Sequence, residues 1–346
     1  RVILGTNEEN GMQDMKYYFT REPVPRLGFS PDARYPVINR EKGILQLALV
    51  EKGFTGNENA KGEQGQGRKD FNNGCKGRHK NKGEPLAPFM EIIGGDAVNM
   101  VPAWSSACIQ AGQLQPDEIL HLQGLAGKAG GNGIEVLTVE GGDMCIRARG
   151  RSAHAASPEN GINAIYRLLD FLGKVVCLDG LPGFIYRNKI GLDTTGQSLG
   201  INFKDEESGA LTLNLGKIRC NQGEKRAALD IRYPVTCNYG SIVDILREKA
   251  DKEDVGVEII EHLPPLYMPE NHPLIVKLGS AYEKITGKKA GLLSIGGGTY
   301  ARTLKNNGVA FGGAGTGAHQ PDEHVSIEEL MRHARICTQA MYEIAT

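Results

Sequence analysis

Three short stretches hold residue types that could support hydrolytic or metal-ion chemistry. The first is Thr6-Asn7-Glu8-Glu9-Asn10-Gly11, two adjacent carboxylates following the apolar run Val2-Ile3-Leu4. Read as an interior strand meeting its loop, that run puts both carboxylates at a strand's carboxyl end, where open α/β sheets place ligands. Neighbouring side chains point differently, so one carboxylate can bind a metal ion while the other meets its bound water. The second is Asp32, which follows Ser30-Pro31 after the short Leu27-Gly28-Phe29 segment. The third is His319, in a glycine-rich loop after Val309-Ala310-Phe311. Singly, each has a plain alternative: a solvated acidic loop, an Asp bonding locally in a turn, an exposed His. Together, Glu, Asp and His at three strand ends are the hard and borderline ligands that suit Zn²⁺ or Mn²⁺.

Two familiar patterns do not carry chemistry. Gly196-Gln197-Ser198-Leu199-Gly200 fits the G-x-S-x-G nucleophile elbow, which needs a buried strand before it and a helix after it. Here polar loop residues lie on both sides. Gly313-Ala314-Gly315-Thr316-Gly317-Ala318 fits a dinucleotide fingerprint, but His319-Gln320-Pro321 follows, so no helix starts there to receive a pyrophosphate.

The elements that must position the candidate residues follow from pattern. Residues 134–149 alternate as a hairpin around Gly141-Gly142. Ser157 reads as a helix cap with Pro158 at the first helical position, ahead of the stripe Ile162, Ile165, Leu169, Leu172, Val176. Strands are expected at 211–218, 227–233 and 255–260, with Ser241 capping a helix between the last two. This strand, helix, strand, strand, helix, strand order is the ferredoxin-like split βαβ arrangement. Residues 273–286 read as an amphipathic helix, and Ser326 with Glu329 as a capping box for the last one. Between those helices, 292–295 and 308–311 read as buried parallel strands. The chain therefore divides into an α/β domain built from residues 1–41 and 263–346, interrupted by an α+β domain over 42–262. Within the latter, residues 52–83 hold eight Gly and eight Lys or Arg with few apolar residues, which reads as a mobile, solvated insertion.

Composition narrows the function classes. Forty Lys+Arg balance 41 Asp+Glu among 346 residues, for a net charge of -1, so nothing electrostatic points to nucleic acid or an anionic membrane. No apolar run approaches the roughly 18 residues that span a bilayer. Seven Cys without a C-x-x-C pair argue against a zinc ribbon or disulfide framework and suit a reducing, cytoplasmic setting.

The segments T-N-E-E-N-G, G-F-S-P-D-A-R-Y-P, N-M-V-P, G-R-S-A-H-A-A-S-P-E-N-G-I-N-A, D-I-R-Y-P, S-I-G-G-G-T-Y-A-R and A-H-Q-P-D-E-H occur in order along the chain. In these the sequence resembles the bacterial dipeptidase V-like, Xaa-His dipeptidase branch of the carnosinase and aminoacylase two-metal peptidases, everywhere except 52–83. The resemblance implies an α/β, phosphorylase/hydrolase-like zinc-peptidase catalytic domain with an inserted ferredoxin-like lid. It implies a monomeric enzyme acting on dipeptides with two divalent cations, zinc first and manganese or cobalt as alternatives. Residue by residue, it makes Glu8 the general base that takes a proton from a metal-bridging water. Glu9 and His319 match ligands of one ion, and Asp32 a ligand of the other. His154 matches a lid histidine that meets the tetrahedral oxyanion, and Arg232 a lid arginine that grips the substrate carboxylate. Asn99 matches a substrate-binding Asn, and Gly297, Gly298 and Thr299 match a loop lining the pocket.

The same resemblance implies an upstream His-x-Asp and a bridging Asp. Only seven residues precede Glu8. The expectation is a catalytic domain without its N-terminal part, lacking the bridging ligand, and an inactive form beside a folded lid. Readings that compete with the dipeptidase are an N-acyl amino acid hydrolase or desuccinylase using the same site, and a non-catalytic peptide-binding module.

Overall fold

The computed structural model describes residues 1–8, 11–53, 89–110, 116–128, 133–138, 143–317 and 322–346. Glu9, His319 and most of the 52–83 stretch lie outside these residues. The N-terminal run does not form the expected strand. Val2 and Leu4 are 75% and 90% exposed and, among the described residues, no strand pairs with them, so an apolar run without a ladder partner stays coil. Arg1 instead ties this end to Glu22 and the Pro23 carbonyl, beyond helix α1 (Gln13–Arg21).

The chain then lays down β1 (Gly28–Ser30) and β2 (Val37–Glu41), and passes through Lys42 into a second sheet. That sheet begins with β3 (Gly43–Glu51), β4 (Phe89–Gly94) and β5 (Trp104–Ile109). Helix α2 (Pro116–Lys128) precedes the hairpin of β6 (Ile134–Thr138) and β7 (Met144–Arg149). Helices α3 (Ala164–Leu172) and α4 (Gly180–Arg187) lead, past the two-residue pair β8 (Lys204–Asp205) and β9 (Gly209–Ala210), to β10 (Thr212–Cys220) and β11 (Lys225–Tyr233). After α5 (Tyr239–Asp251) and β12 (Val255–Leu263) the chain returns to the first sheet. It ends with β13 (Leu266–Tyr267), α6 (Pro273–Thr286), β14 (Leu292–Ile295), β15 (Gly308–Ala310) and α7 (Ile327–Ala345).

The larger sheet is antiparallel throughout, in the order β12-β3-β11-β10-β4-β5-β7-β6. Its first four strands, with α3, α4 and α5, have the ferredoxin-like order. The opening strand of that unit is β3, however, and not the 134–149 hairpin, which extends the sheet beyond β10. Ile44, Leu45, Leu47, Ala48 and Leu49 are all buried, so β3 is covered on both faces and lacks the alternation that marks a half-exposed strand. Two helix starts also differ from their sequence signals. Pro158 opens only a single 3₁₀ turn, and α3 begins after Asn163, whose side chain accepts from the Ile165 and Tyr166 amides. Asn238, rather than Ser241, caps α5. One apolar core, around Leu47, Ile146, Leu168, Phe184, Leu229 and Leu246, joins these helices to the sheet.

In the smaller sheet, β1 and β15 are parallel neighbours and β14 runs parallel to β2. β15 meets β2 antiparallel through Ala310 and Ile38. The two pairs therefore run in opposite directions. Helices α6 and α7 pack on this sheet through Leu274, Leu278, Ile336 and Ala340, against Val37, Val309 and Phe311. Among the described residues, no helix is long and apolar enough to cross a membrane.

Candidate active site at the junction of the two sheets

The chain crosses between the sheets twice, at Lys42 and at Pro264-Pro265, and the crossings lie side by side. Leu263 pairs with Ile44 on one side of them and Leu266 with Glu41 on the other. Because β14 runs parallel to β2, Ile295 comes opposite Glu41 and the loop Gly296–Thr299 falls at the same place. Thr299, 3% exposed, donates its hydroxyl to Glu41 Oε1 at 2.7 Å and caps the short turn that follows. Glu41 is fully buried.

Its partner is Arg302, whose Nε lies 2.7 Å from Glu41 Oε2, though out of line for a good hydrogen bond. The same guanidinium donates to the carbonyls of Pro264 (2.6 Å), Lys42 (2.5 Å) and Gly297 (3.1 Å). One side chain thus binds both crossings and the loop. Burial pushes the Glu41 carboxyl above its ordinary value, an effect opposed by Arg302. Burial likewise lowers the Arg302 guanidinium, opposed by Glu41. Sequence reasoning passed over both residues. The signal was an Arg five residues beyond Gly297, in a turn, with nothing to say it would be buried.

On the larger sheet, Arg232 is 4% exposed and holds Asp230, its same-face neighbour on β11, through Nε at 2.5 Å and Nη2 at 3.0 Å. Its Nη1 donates to the Gly296 carbonyl at 3.1 Å. Asn99 and His154 are brought together by a bridge between Met100 and His154 and by the bond from the Ala155 amide to the Asn99 carbonyl, 2.9 Å. Both side chains are exposed. His154 Nδ1 accepts from the Ala156 amide at 3.1 Å, so a neutral ring carries its proton on Nε2 and presents a donor there. Gly296 abuts this segment, since a Cβ there would lie 2.9 Å from that of Ala156. A Cβ on Gly298 would come within 2.7 Å of Arg302 Nε, whereas at Gly297 it would meet open space. Asn99, His154, Arg232, Gly297, Gly298 and Thr299 are therefore gathered around one junction.

The acidic residues separate. Residues 5–7 are moored beside this junction by Tyr300: its hydroxyl accepts from the Asn7 amide at 3.0 Å and donates to Asp14 at 2.7 Å. Asp14 also receives the Thr6 amide at 2.7 Å. Burial first, then the Asp14 bond and the charges of Asp14 and Glu8, raise the Tyr300 hydroxyl, opposed by the Asn7 amide. Asp32 lies elsewhere. It follows β1, whose Ser30 aligns with Ala310 and so with Ile38, three residues before Glu41 on β2. Ile38 and Glu41 are about 10 Å apart along the strand, and Asp32 and the Gly296–Thr299 loop lie beyond opposite ends of that interval. The cause is strand direction: β1 and β15 run against β14, so their carboxyl ends cannot share an edge with it. The loop after β15 does pass the Asp32 turn, for a Cβ on Gly313 would lie 2.5 Å from the Ala33 carbonyl.

Glu9 and His319 lie outside the described residues. Among the described residues no group of three or more His, Cys, Asp or Glu could hold a metal ion. These residues alone do not fit a two-metal centre, and no catalytic step is derived through one. Nor does the G-x-S-x-G stretch hold a nucleophile: Ser198 sits in a one-turn 3₁₀ segment and donates to the Asn188 carbonyl and Asp193.

A two-sheet α/β protein with a ferredoxin-like unit inserted through a paired crossing, and polar residues from both parts at the junction, defines a class of two-part α/β proteins. The family model for peptidase family M20/M25/M40 matches residues 1–343, and the chain belongs to this family. Similar proteins include Putative dipeptidase YtjP of Bacillus subtilis (strain 168), 35% identical over all of this chain and 69% of its own length. A second, Putative dipeptidase of Staphylococcus epidermidis, is 27% identical over 99% of this chain and 69% of its own length. Among solved structures, aminopeptidase PepT of Bacillus cereus aligns with 99% of this chain and 63% of its own, at 12% identity and a TM-score of 0.42. Aminoacylhistidine dipeptidase of Vibrio alginolyticus aligns with 92% of this chain and 65% of its own, at 12% identity and a TM-score of 0.41. The chain thus spans about two thirds of the length of the proteins it matches. Peptidases of the family typically depend on two metal ions.

Proposed function

We propose that this chain is part of a dipeptidase that hydrolyses unblocked dipeptides of the Xaa-His type. The observation that carries the reading is the convergence of Asn99, His154, Arg232 and the Gly297–Thr299 loop on one junction, in a chain of a peptidase family. In this reading residues 1–41 and 263–346 belong to the catalytic domain and 42–262 to the lid. A dipeptide lies across the crossing strands. Three of the five N–H donors of Arg232 are engaged by Asp230 and Gly296, and the substrate carboxylate takes the remaining two. Since the fork is anchored in this way, it presents those donors in a fixed direction. His154 Nε2–H donates to the oxygen on which negative charge develops, and Asn99 orients the peptide beside it.

The resemblance further assigns Glu8 as general base, Glu9 and His319 as metal ligands, and zinc as the metal, with manganese or cobalt as alternatives; Asp32, which its motif also assigns as a ligand, lies apart from the junction. Those assignments rest on motif matches. The test is turnover of Xaa-His dipeptides and of N-acyl amino acids by the whole protein of which this chain is part, with and without a chelator. Dipeptides are expected to be cleaved, Glu8→Gln to abolish turnover, and Arg232→Lys to raise KM more than it lowers kcat. Preference for N-acyl amino acids would replace the reading by that of an acylase. Binding without turnover would replace it by that of a peptide-binding module.

A further inference from the structure

The seven cysteines show no spacing motif, yet the fold brings two of them face to face. Cys108 on β5 and Cys145 on β7 are directly opposed across an antiparallel pair, with their sulfurs 4.0 Å apart. Both are partly exposed. Of the other described cysteines, Cys177 meets Asp179, Cys237 the Asn238 carbonyl, Cys337 Tyr35 and His333, and Cys220 is buried.

We propose that Cys108 and Cys145 form a reversible cross-strand disulfide, an oxidative modification site independent of the junction between the sheets. Directly opposed residues of an antiparallel pair have Cα atoms about 4.5 or 5.5 Å apart, according to pair type. Both spacings fall inside the roughly 4.4–6.8 Å range that a disulfide spans. Bond formation therefore needs rotation of the two side chains and no change of register. The surroundings favour the thiol form at rest. Burial first, then Cys145 and the carboxylates of Glu91 and Asp143, push the Cys108 thiol up to about 11. The pair stays reduced until an oxidant is supplied.

The oxidant is a small disulfide such as oxidised glutathione. One cysteine, on losing its proton, attacks a sulfur of the reagent. The reagent's S–S bond breaks, one glutathione thiolate leaves, and a mixed disulfide forms on the protein. The second cysteine then loses its proton and attacks the protein sulfur of that mixed disulfide, expelling the second glutathione thiolate. Two protons and two electrons have passed from the protein pair to the reagent, which ends as two thiols. The new bond fixes β5 to β7 and joins two cysteines 37 positions apart in the chain, closing a loop that carries α2 and β6.

The experiment is to equilibrate the chain with excess oxidised glutathione, alkylate it and measure intact mass and peptide maps. The expected product has lost two hydrogens, has two fewer alkylatable thiols than the seven of the reduced chain, and yields a Cys108–Cys145 cross-linked peptide that dithiothreitol removes. Amide exchange in 104–109 and 144–149 should slow in the oxidised form. Cys108→Ser or Cys145→Ser should trap a glutathione adduct on the remaining cysteine, because nothing resolves it. A cross-link mapped to other cysteines, or adducts persisting on the unsubstituted chain as on the single variants, would overturn the proposal. The mapping uses the unsubstituted chain, so the result does not depend on the variants folding.

Discussion

Replacing Arg302 by Met isolates what the buried pair at the crossing contributes. The Glu41 and Arg302 side chains are 0% and 7% exposed, so solvent does little to screen them. With the guanidinium gone, Glu41 keeps, among the described residues, the two bonds from Thr299. Removing one partner of a buried pair typically costs about 3–5 kcal/mol, because an uncompensated charge remains. If the 346-residue chain unfolds as one unit, that corresponds to a fall in Tm of roughly 4–7 °C. The cost has a pH signature. Without Arg302 the Glu41 carboxyl rises further above its ordinary 4.5, in the direction burial already pushes it. A carboxyl whose pKa is raised on folding stabilises below its unfolded value and loses that stability as pH climbs through the folded one. The deficit of Arg302→Met should therefore be smallest near pH 4.5 and grow toward neutrality, while Glu41→Gln in the same background should recover part of it. Urea unfolding of the parent, both single variants and the double variant, at pH 5 and pH 8, supplies the complete cycle. A deficit below about 1 kcal/mol and equal at the two pH values would refute the argument, since water would then be reaching Glu41.

Two other perturbations follow from local features. Ser326→Ala removes the side-chain half of the capping box on α7, the hydroxyl oxygen that accepts the Glu329 amide, and leaves the Ser326 amide still donating to Glu329. A loss of about 1 kcal/mol is expected in thermal unfolding, with Ser326→Asp retaining most of it; equal stability of Ala and Asp variants would show that the cap is idle. Burial, then the nearby Arg302, holds the His262 ring below its ordinary 6.5, and burial does the same to His333. The unfolded chain takes up these protons first, so stability should fall as pH drops below about 6.5. His262→Gln should flatten that fall, and an unchanged pH profile would show that the folded ring binds protons normally.

Much of the local structure was legible because local chemistry determined it. The 273–286 helix and the Ser326 capping box have the bounds their patterns imply. Strand partners were less legible. Nothing in Val2-Ile3-Leu4 says that no neighbour will pair with it, and the apolar run in β3 does not announce that it opens the ferredoxin-like unit. Strand direction was the costliest omission. Both 292–295 and 308–310 read as parallel strands, and both are, but to different neighbours running opposite ways. Asp32 and the Gly297 loop consequently leave from different edges. Asn99, His154 and Arg232 were visible through their motifs. Glu41 and Arg302 were not, because a buried ion pair is a property of packing and leaves no pattern in the sequence.

The two crossings carry a mechanical consequence. Strands β2 and β3 run beside β12 and β13 on both sides of the boundary, so the link between the sheets is one two-stranded ribbon. Such a ribbon resembles a leaf spring, pliant across its thin dimension and stiff in its own plane, where bending would stretch one strand and compress the other. The crease is located by chemistry: Pro264 and Pro265 have no amide hydrogen to join a ladder there. Opposite them, Gly43 leaves room for the Tyr233 ring, which would lie 2.0 Å from any added Cβ. A ribbon of this kind favours rotation about that crease over bending in its own plane. The Lys42 amide, at the crease, is bonded to the Ile295 carbonyl. The loop that begins at Gly296 is thus pinned at the crease itself, next to the segment of the larger sheet that carries Asn99 and His154.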